Sequence, residues 1–398
     1  MTEVANASTT WPTARSRRPS IVAQFGETRA ELLGWALTTG DPLADAVVEE
    51  IHEHGREVRV ALANGIGNGL SSLTDPSPAV AALLTQTESV PDYVDDELLD
   101  EGSRPYFSTP APSRAISLSA GALVRVYDSP SIAKVLAATG RLVDAAARRI
   151  QETGKWVTVA MIPGALRVGQ PGYISTLQVR MLHAHMRRLV RSRGYDEAAY
   201  GAPINQVDLA RTWMDFTLTS YRAEEVMGFS RTANELASVY KYWWYVAHLL
   251  GLDARFVEGI STHDEAARVD EMLQAVTGPP IPESSDLAFA SLKSIAGTLN
   301  ELISVPESMG LQALYALTRR FHGHSVGDDL LLPRAAAADA LLTPGISAIR
   351  AHRARLRRNP EAWVREHDKW IDSAKELIAE LSDQTAFEHH AEPASKIS

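Results

Sequence analysis

An all-α fold is what this sequence predicts, on three grounds. Apolar residues recur mainly at three- and four-residue spacing, no convincing run alternates apolar with polar residues, and several segments carry helix-start and helix-stop residues where helices need them. Candidate helices fall at about 28–40, 42–55, 78–87, 94–101, 115–127, 130–153, 173–193, 204–221, 231–251, 264–277, 284–304, 308–323, 334–356 and 360–382. Ser129 and Pro130 open one of them with a capping hydroxyl before a first-turn proline, and Gly154 stands where its closing glycine is expected. Gly194 closes the next helix in the same way. The stretch 163–171, with Gly164 and Gly169, reads as a loop between those two helices, placed to form part of a pocket rim.

Residues 1–24 are rich in Ser, Thr, Ala, Arg and Pro, and 384–398 lack apolar periodicity, so both ends are expected to fray. Between them no internal repeat or linker interrupts the pattern, which predicts a single large helical domain over 25–383. With 45% hydrophobic and 22% charged residues the chain has enough apolar material for a substantial core. A net charge of −10 excludes a nucleic-acid binder, which needs a basic face to displace counterions from phosphates. The absence of cysteine removes disulfides, thiolate metal sites and cysteine-ligated haem together. Arg17 and Arg18 resemble a twin-arginine export signal, but the stretch after them is short, weakly apolar and soon broken by Glu27 and Arg29. A cytoplasmic protein is therefore expected, without membrane insertion, because no run approaches the roughly 18 apolar residues a spanning helix requires. Oligomeric state is not written in these patterns.

Chemistry concentrates on the helix 173–193. Arg180, His183 and Arg187 lie at i, i+3 and i+7, along one stripe of a 3.6-residue turn, with Leu182, Met186, Leu189 and Val190 making much of the neighbouring surface apolar. Buried guanidinium groups need an anionic partner, which haem propionates would supply. Taken alone, such a histidine is more often a satisfied structural residue, and the arginines are equally able to bridge to acidic loops. A second polar stripe, Arg149, Glu152 and Thr153, is expected near the end of the preceding helix. If the helices pack face to face, a guanidinium, a carboxylate and a hydroxyl oppose an imidazole across a gap suited to a planar cofactor. The plain alternative is an ordinary solvated helix end. His183 with His185, or His322 with His324, cannot share a metal ion from one helix, because i and i+2 point about 200° apart. His389 and His390 lie in a polar tail, and the aromatic run ahead of His248 is more often core packing, although Trp243 and Trp244 are candidates to line a pocket.

At these residues the chain resembles the latex clearing protein and MpaB-type oxygenase family. The resemblance rests on Arg149-Ile150-Gln151-Glu152-Thr153, Pro163-Gly164, Gly172-Tyr173, and Thr176-Leu177-Gln178-Val179-Arg180-Met181-Leu182-His183-Ala184 closed by Arg187. Two further blocks agree, Tyr200 to Ala210 and Trp244 to Gly251, and the similarity runs from about Gly40 to Pro333. It implies a globin-like helical core around haem b, with dioxygen as co-substrate and oxidative cleavage of a carbon–carbon double bond in a hydrophobic, isoprenoid-like substrate. By the same resemblance His183 is the axial iron ligand, Arg180 and Arg187 accompany it, and Arg149 and Thr153 belong to the distal side. Latex clearing proteins carry a lysine just before the matching threonine and a glutamate base one turn ahead of the position of Gly140. Here those places hold Glu152 and the pair Ala133-Lys134, so Lys134 and Glu152 are expected to pair with reversed polarity. The lack of an export signal favours a small lipophilic substrate. Cleavage of cis-1,4-polyisoprene proper, a haem-binding sensor or carrier without turnover, and a helical protein with no cofactor are the alternatives.

Overall fold

In the computed structural model the described residues are 11–138 and 146–382, and among them secondary structure is helical throughout, with no strand. The all-α expectation holds. Most candidate helices stand within a few residues of their expected positions, among them Glu27–Thr38, Pro42–His54, Pro78–Glu88, Pro171–Ser192, Ala233–Leu249 and Pro282–Ile303. Their buried faces merge into one contiguous core in which Tyr173, Tyr240, Tyr242, Trp243 and Tyr245 are fully covered. No helix among the described residues is long and apolar enough to cross a membrane.

Local chemistry fixes the element ends. Asp41 caps Pro42–His54 by accepting from the Ala44 amide at 3.2 Å, and Asn205 caps Gln206–Met214 by accepting from Asp208 N at 3.0 Å. Thr232 with Glu235 and Thr262 with Glu265 form reciprocal capping boxes that start Ala233–Leu249 and His263–Ala275. Pro171 sits in the first turn of Pro171–Ser192, where its missing N–H costs nothing. The next residue, Gly172, lies so close to the preceding turn that a Cβ there would meet the Ala165 carbonyl oxygen at 2.7 Å.

The structure departs from the sequence reading in several places. Residues 11–24 do not fray: Arg15 is buried and donates to Asp208 Oδ1 at 3.0 Å and to the Tyr200 carbonyl at 3.1 Å, while Ile21 is the buried residue of the helix Arg18–Phe25. An arginine whose charge is met inside the protein anchors a segment that composition marks as polar. The expected helix 130–153 appears as Pro130–Ala138 and Ala146–Ala160, with 139–145 outside the described residues, and Gly154 lies inside the second piece instead of closing it. An unexpected helix, Arg56–Asn68, spans a stretch whose glycines look like loop residues; Gly65 is there because a Cβ would meet Leu84 Cδ1 at 2.3 Å, a close helix approach. The helices near 115–127 and 204–221 each contain a π-helical stretch, Ser117–Leu123 and Asp215–Thr219, and the two stretches pack on each other.

Two packings position the site. Ala146–Ala160 and Pro171–Ser192 fold back on each other across the turns at 161–170, with Trp156 Nε1 donating to Thr176 Oγ1 at 3.2 Å. Pro171–Ser192 also lies along Pro42–His54. One helix therefore meets a neighbour on each side of the stripe that carries His183.

Candidate functional site

The three residues of the stripe come together, but their charges are met from within the chain. Arg180 donates from Nε to Asp41 Oδ2 at 2.6 Å and from a terminal nitrogen to Asp41 Oδ1 at 3.1 Å, a two-pronged pair in which both side chains are buried. Its other terminal nitrogen reaches Gln86 Oε1 at 2.5 Å and the Leu249 carbonyl at 3.3 Å. Arg187, equally buried, donates from Nε to Asp45 Oδ1 at 2.6 Å and to the Ile204 carbonyl at 3.4 Å. The partner expected from porphyrin propionates is thus replaced by Asp41 and Asp45, one turn apart at the head of Pro42–His54. The physical reason is pre-organisation: Asp41 is already held as a helix cap, so the pair adds little ordering cost.

Glycines close this frame. A Cβ at Gly251, whose φ is +73°, would stand 2.6 Å from Asp41 Oδ2 and 2.7 Å from Arg180 Nε, and one at Gly40 would stand 2.9 Å from Arg187 Cδ. Gln206 ties the same loops together, donating to the Gly40 and Gly251 carbonyls at 2.8 and 3.0 Å and accepting from Asp253 N at 2.9 Å. The blocks around 200–210 and 244–251 converge here, which explains why both belong to one sequence pattern.

His183 sits between the two ion pairs. Its ring is partly accessible, yet Nδ1 is covered and has no hydrogen-bond partner. Burial, reinforced by the positive charge of Arg187 and opposed by Asp41, pushes its pKa down to about 4. The imidazole is therefore neutral at neutral pH, and a neutral ring keeps the in-plane lone pair that a metal needs. Asp45 is held above the usual carboxylate range because burial outweighs the attraction of Arg187. Of the other buried histidines, His248 stacks on Tyr245 with its Nε2 3.1 Å from the Gln86 carbonyl oxygen, and His322 Nε2 lies 3.1 Å from that of Ala120. His367 also leaves a covered Nε2 without a hydrogen-bond partner but stands apart, packed against Trp363 on the last helix. Among the described residues no three His, Asp or Glu side chains gather into a ligand set. A haem iron asks the chain for one axial donor, and the unpartnered nitrogen of His183 fits that demand.

On the facing helix the expected polar stripe divides. Arg149 and Thr153 are half-buried and share a face with the buried Trp156, which packs edge-on against Phe216 and Trp243 at centroid distances of 6.0 and 6.4 Å. Glu152 turns outward, exposed, and accepts from Arg148 Nε at 2.7 Å. Lys134 donates to Glu283 Oε1 at 2.7 Å. The expected Lys134–Glu152 pair does not form, because each charge finds a nearer partner where water still solvates it. Trp243 is core, its Nε1 donating to Tyr221 Oη at 2.6 Å, and Trp244 Nε1 donates to the Ile260 carbonyl at 3.0 Å. Asp41, Asp45 and Gln86 were missed by sequence reasoning; the one available signal was a Gly40-Asp41-Pro42 helix start with a second carboxylate four residues on.

Residues 113–357, more than half of the chain, match the family model described as the catalytic domain of ER-bound oxygenase mpaB/B'/Rubber oxygenase. The chain belongs to this oxygenase family. Its fold is also that of a solved relative, latex clearing protein LCP in the closed state, at a TM-score of 0.63 and 18% identity, covering 83% of this chain and 91% of that one. No match is found among curated proteins. In this oxygenase the matched region takes in His183, both stripe arginines and the whole facing helix, whereas Asp41 and Asp45 lie ahead of it.

Proposed function

We propose that this protein is a haem-b-dependent oxygenase that uses dioxygen to oxidise or cleave a carbon–carbon double bond in a hydrophobic, isoprenoid-like substrate, with His183 as the axial iron ligand. The observation that carries the reading is a neutral imidazole with a covered, unpartnered nitrogen, held between two ion pairs inside an oxygenase-family domain. In this reading bound haem supplies the activation of dioxygen, and the chain supplies holding, orientation and exclusion of water. Arg180 and Arg187, locked by Asp41 and Asp45, fix the helix that presents the ring, and burial together with the charge of Arg187 keeps the ring deprotonated. Arg149 and Thr153 take the distal side, where a guanidinium charge and a hydroxyl can orient a polar oxygen. Lys134 and Glu152, each paired elsewhere, have no part in it.

The first test is a titration of the purified protein with haemin. A strong Soret band saturating at one haem per chain is expected; a protein that stays colourless overturns the reading. A second reading, a haem-binding carrier or sensor, is favoured by the dispersal of Lys134 and Glu152 to separate surface pairs. Reduced, haem-loaded protein given oxygen and an isoprenoid alkene separates the two: an oxygenase consumes both and releases carbonyl product, and a carrier consumes neither.

A further inference from the structure

A concavity of about 370 Å³ lies against the C-terminal helices, lined by Ser108, Pro110, Phe229, Ile349, Arg353 and Leu356 among others. Its polar wall is unusual. Arg353 is buried, yet its hydrogen bonds go to carbonyl oxygens, those of Ser108 and of Ser230, the latter at 3.3 Å. The nearby carboxylates are committed to other guanidiniums: Glu224 accepts from Arg231 at 2.7 Å and Glu235 from Arg357 at 2.8 Å. Glu366 on the rim accepts from Trp370 Nε1 at 2.8 Å. Arg353 stacks between aromatic faces, 5.2 Å from the Phe229 centroid and 4.7 Å from that of Trp363. Burial, with Arg357 and Arg231 close by, brings its pKa down to about 10, as expected of a cation short of countercharge. Beside it the Ser108 hydroxyl is fully covered and has no hydrogen-bond partner. A buried cation and a buried idle donor, on a wall whose other polar groups are the rim residues His352 and Glu366, are both costly unless something anionic meets them.

We propose that this pocket binds a small amphipathic carboxylate, its head against Arg353 and the Ser108 hydroxyl and its apolar part between Phe229, Ile349 and Leu356. The size sits at the lower end of small-molecule sites, which suits a short-chain or aromatic acid. None of these residues belongs to the ion-pair frame around His183, so the site is separate from the one assigned to haem and stands whether or not haem binds.

Calorimetric titration of the full chain with hexanoate, benzoate, hexanamide and inorganic phosphate tests this. One saturable site for hexanoate or benzoate is expected, with hexanamide at least about ten-fold weaker because it brings no charge to Arg353. Phosphate, which lacks an apolar part, should not displace hexanoate. Ser108→Ala should weaken hexanoate binding several-fold. Ala348→Trp, a change at an exposed rim position that narrows the pocket, should abolish it while leaving the melting temperature unchanged. No saturable binding of either acid, equal binding of hexanamide, displacement by phosphate, or unchanged binding in Ala348→Trp would each overturn the proposal.

Discussion

His183 and His322 stand in different parts of the molecule and look alike by every common measure. Each is a partly covered helical residue, each is pushed to about 4 by burial first and by an arginine among the causes that follow, Arg187 for one and Arg125 for the other. They differ in one respect. His322 spends its Nε2 on the Ala120 carbonyl, 3.1 Å away, and locks the end of one helical arm, before the kink at Gly323, to the π-helical stretch Ser117–Leu123. His183 leaves Nδ1 covered and idle. Burial and neutrality are thus shared by the two, and what separates His183, the ligand we propose, from His322 is that the surrounding protein has not already satisfied its ring.

That contrast breaks cleanly under substitution. His183→Ala is expected to remove haem binding, read as loss of the Soret band after haemin addition, with the fold retained. His322→Ala should keep the full Soret band and lose about 1–3 kcal/mol of stability in urea, since it leaves a buried carbonyl unpaired. Equal haem retention in both variants would sink the distinction. The next effect lies in the two arginine frames. Arg180→Met strands the buried carboxylate of Asp41, and breaking such a pair costs about 3–5 kcal/mol. Arg125→Met strands Asp215 and Asp270, outside the frame around His183, and should be similarly harmful to stability. Only the first should weaken haem affinity in the protein that remains folded.

Acid sharpens the comparison further. A histidine held below its ordinary value is protonated more readily in the unfolded chain, so its stabilisation is complete above that ordinary value and is lost as pH falls toward about 4. Both histidines contribute with this sign. Asp215, raised to about 6 by burial, has the opposite sign and loses its contribution as pH rises through that value, in the wild type and in both histidine variants alike. Acid titrations of urea midpoints should therefore flatten by a similar amount in His183→Ala and in His322→Ala, whereas haemin should steepen the wild-type and His322→Ala curves but not that of His183→Ala.

How much of this was legible follows from the kind of information each feature needs. The stripe Arg180, His183 and Arg187 was readable because helical periodicity is local and places i, i+3 and i+7 together whatever the rest of the chain does. The partners were not, because Asp41 and Asp45 lie some 140 residues earlier and their pairing is a fact of tertiary packing. Arg15 misled for the same reason: a polar, Ser- and Arg-rich segment looks disordered until a buried Asp208 is found to receive it. Gly154 misled as a tolerated interior position that resembles a helix end, and the helix Arg56–Asn68 was not expected at all, its Gly65 marking a close helix contact that only packing reveals.

Glu152 is the sharpest case of a residue that sequence reasoning turned the wrong way. Arg149, Glu152, Thr153 and Trp156 all fall within about 100° of helix surface on a 3.6-residue turn, with Glu152 at the edge of that arc next to Arg148, where its flexible carboxylate reaches water. There it meets Arg148, and an exposed pair four residues apart is worth about 0.3–0.5 kcal/mol. Glu152→Ala should accordingly shift stability by no more than about 0.5 kcal/mol and leave haem binding unchanged, the smallest effect of the series. Thr153→Val, one position on and facing inward, should instead alter oxygen consumption at constant haem content. If Glu152→Ala changes turnover and Thr153→Val does not, the carboxylate swings inward during the reaction and the outward pair with Arg148 is only its resting position.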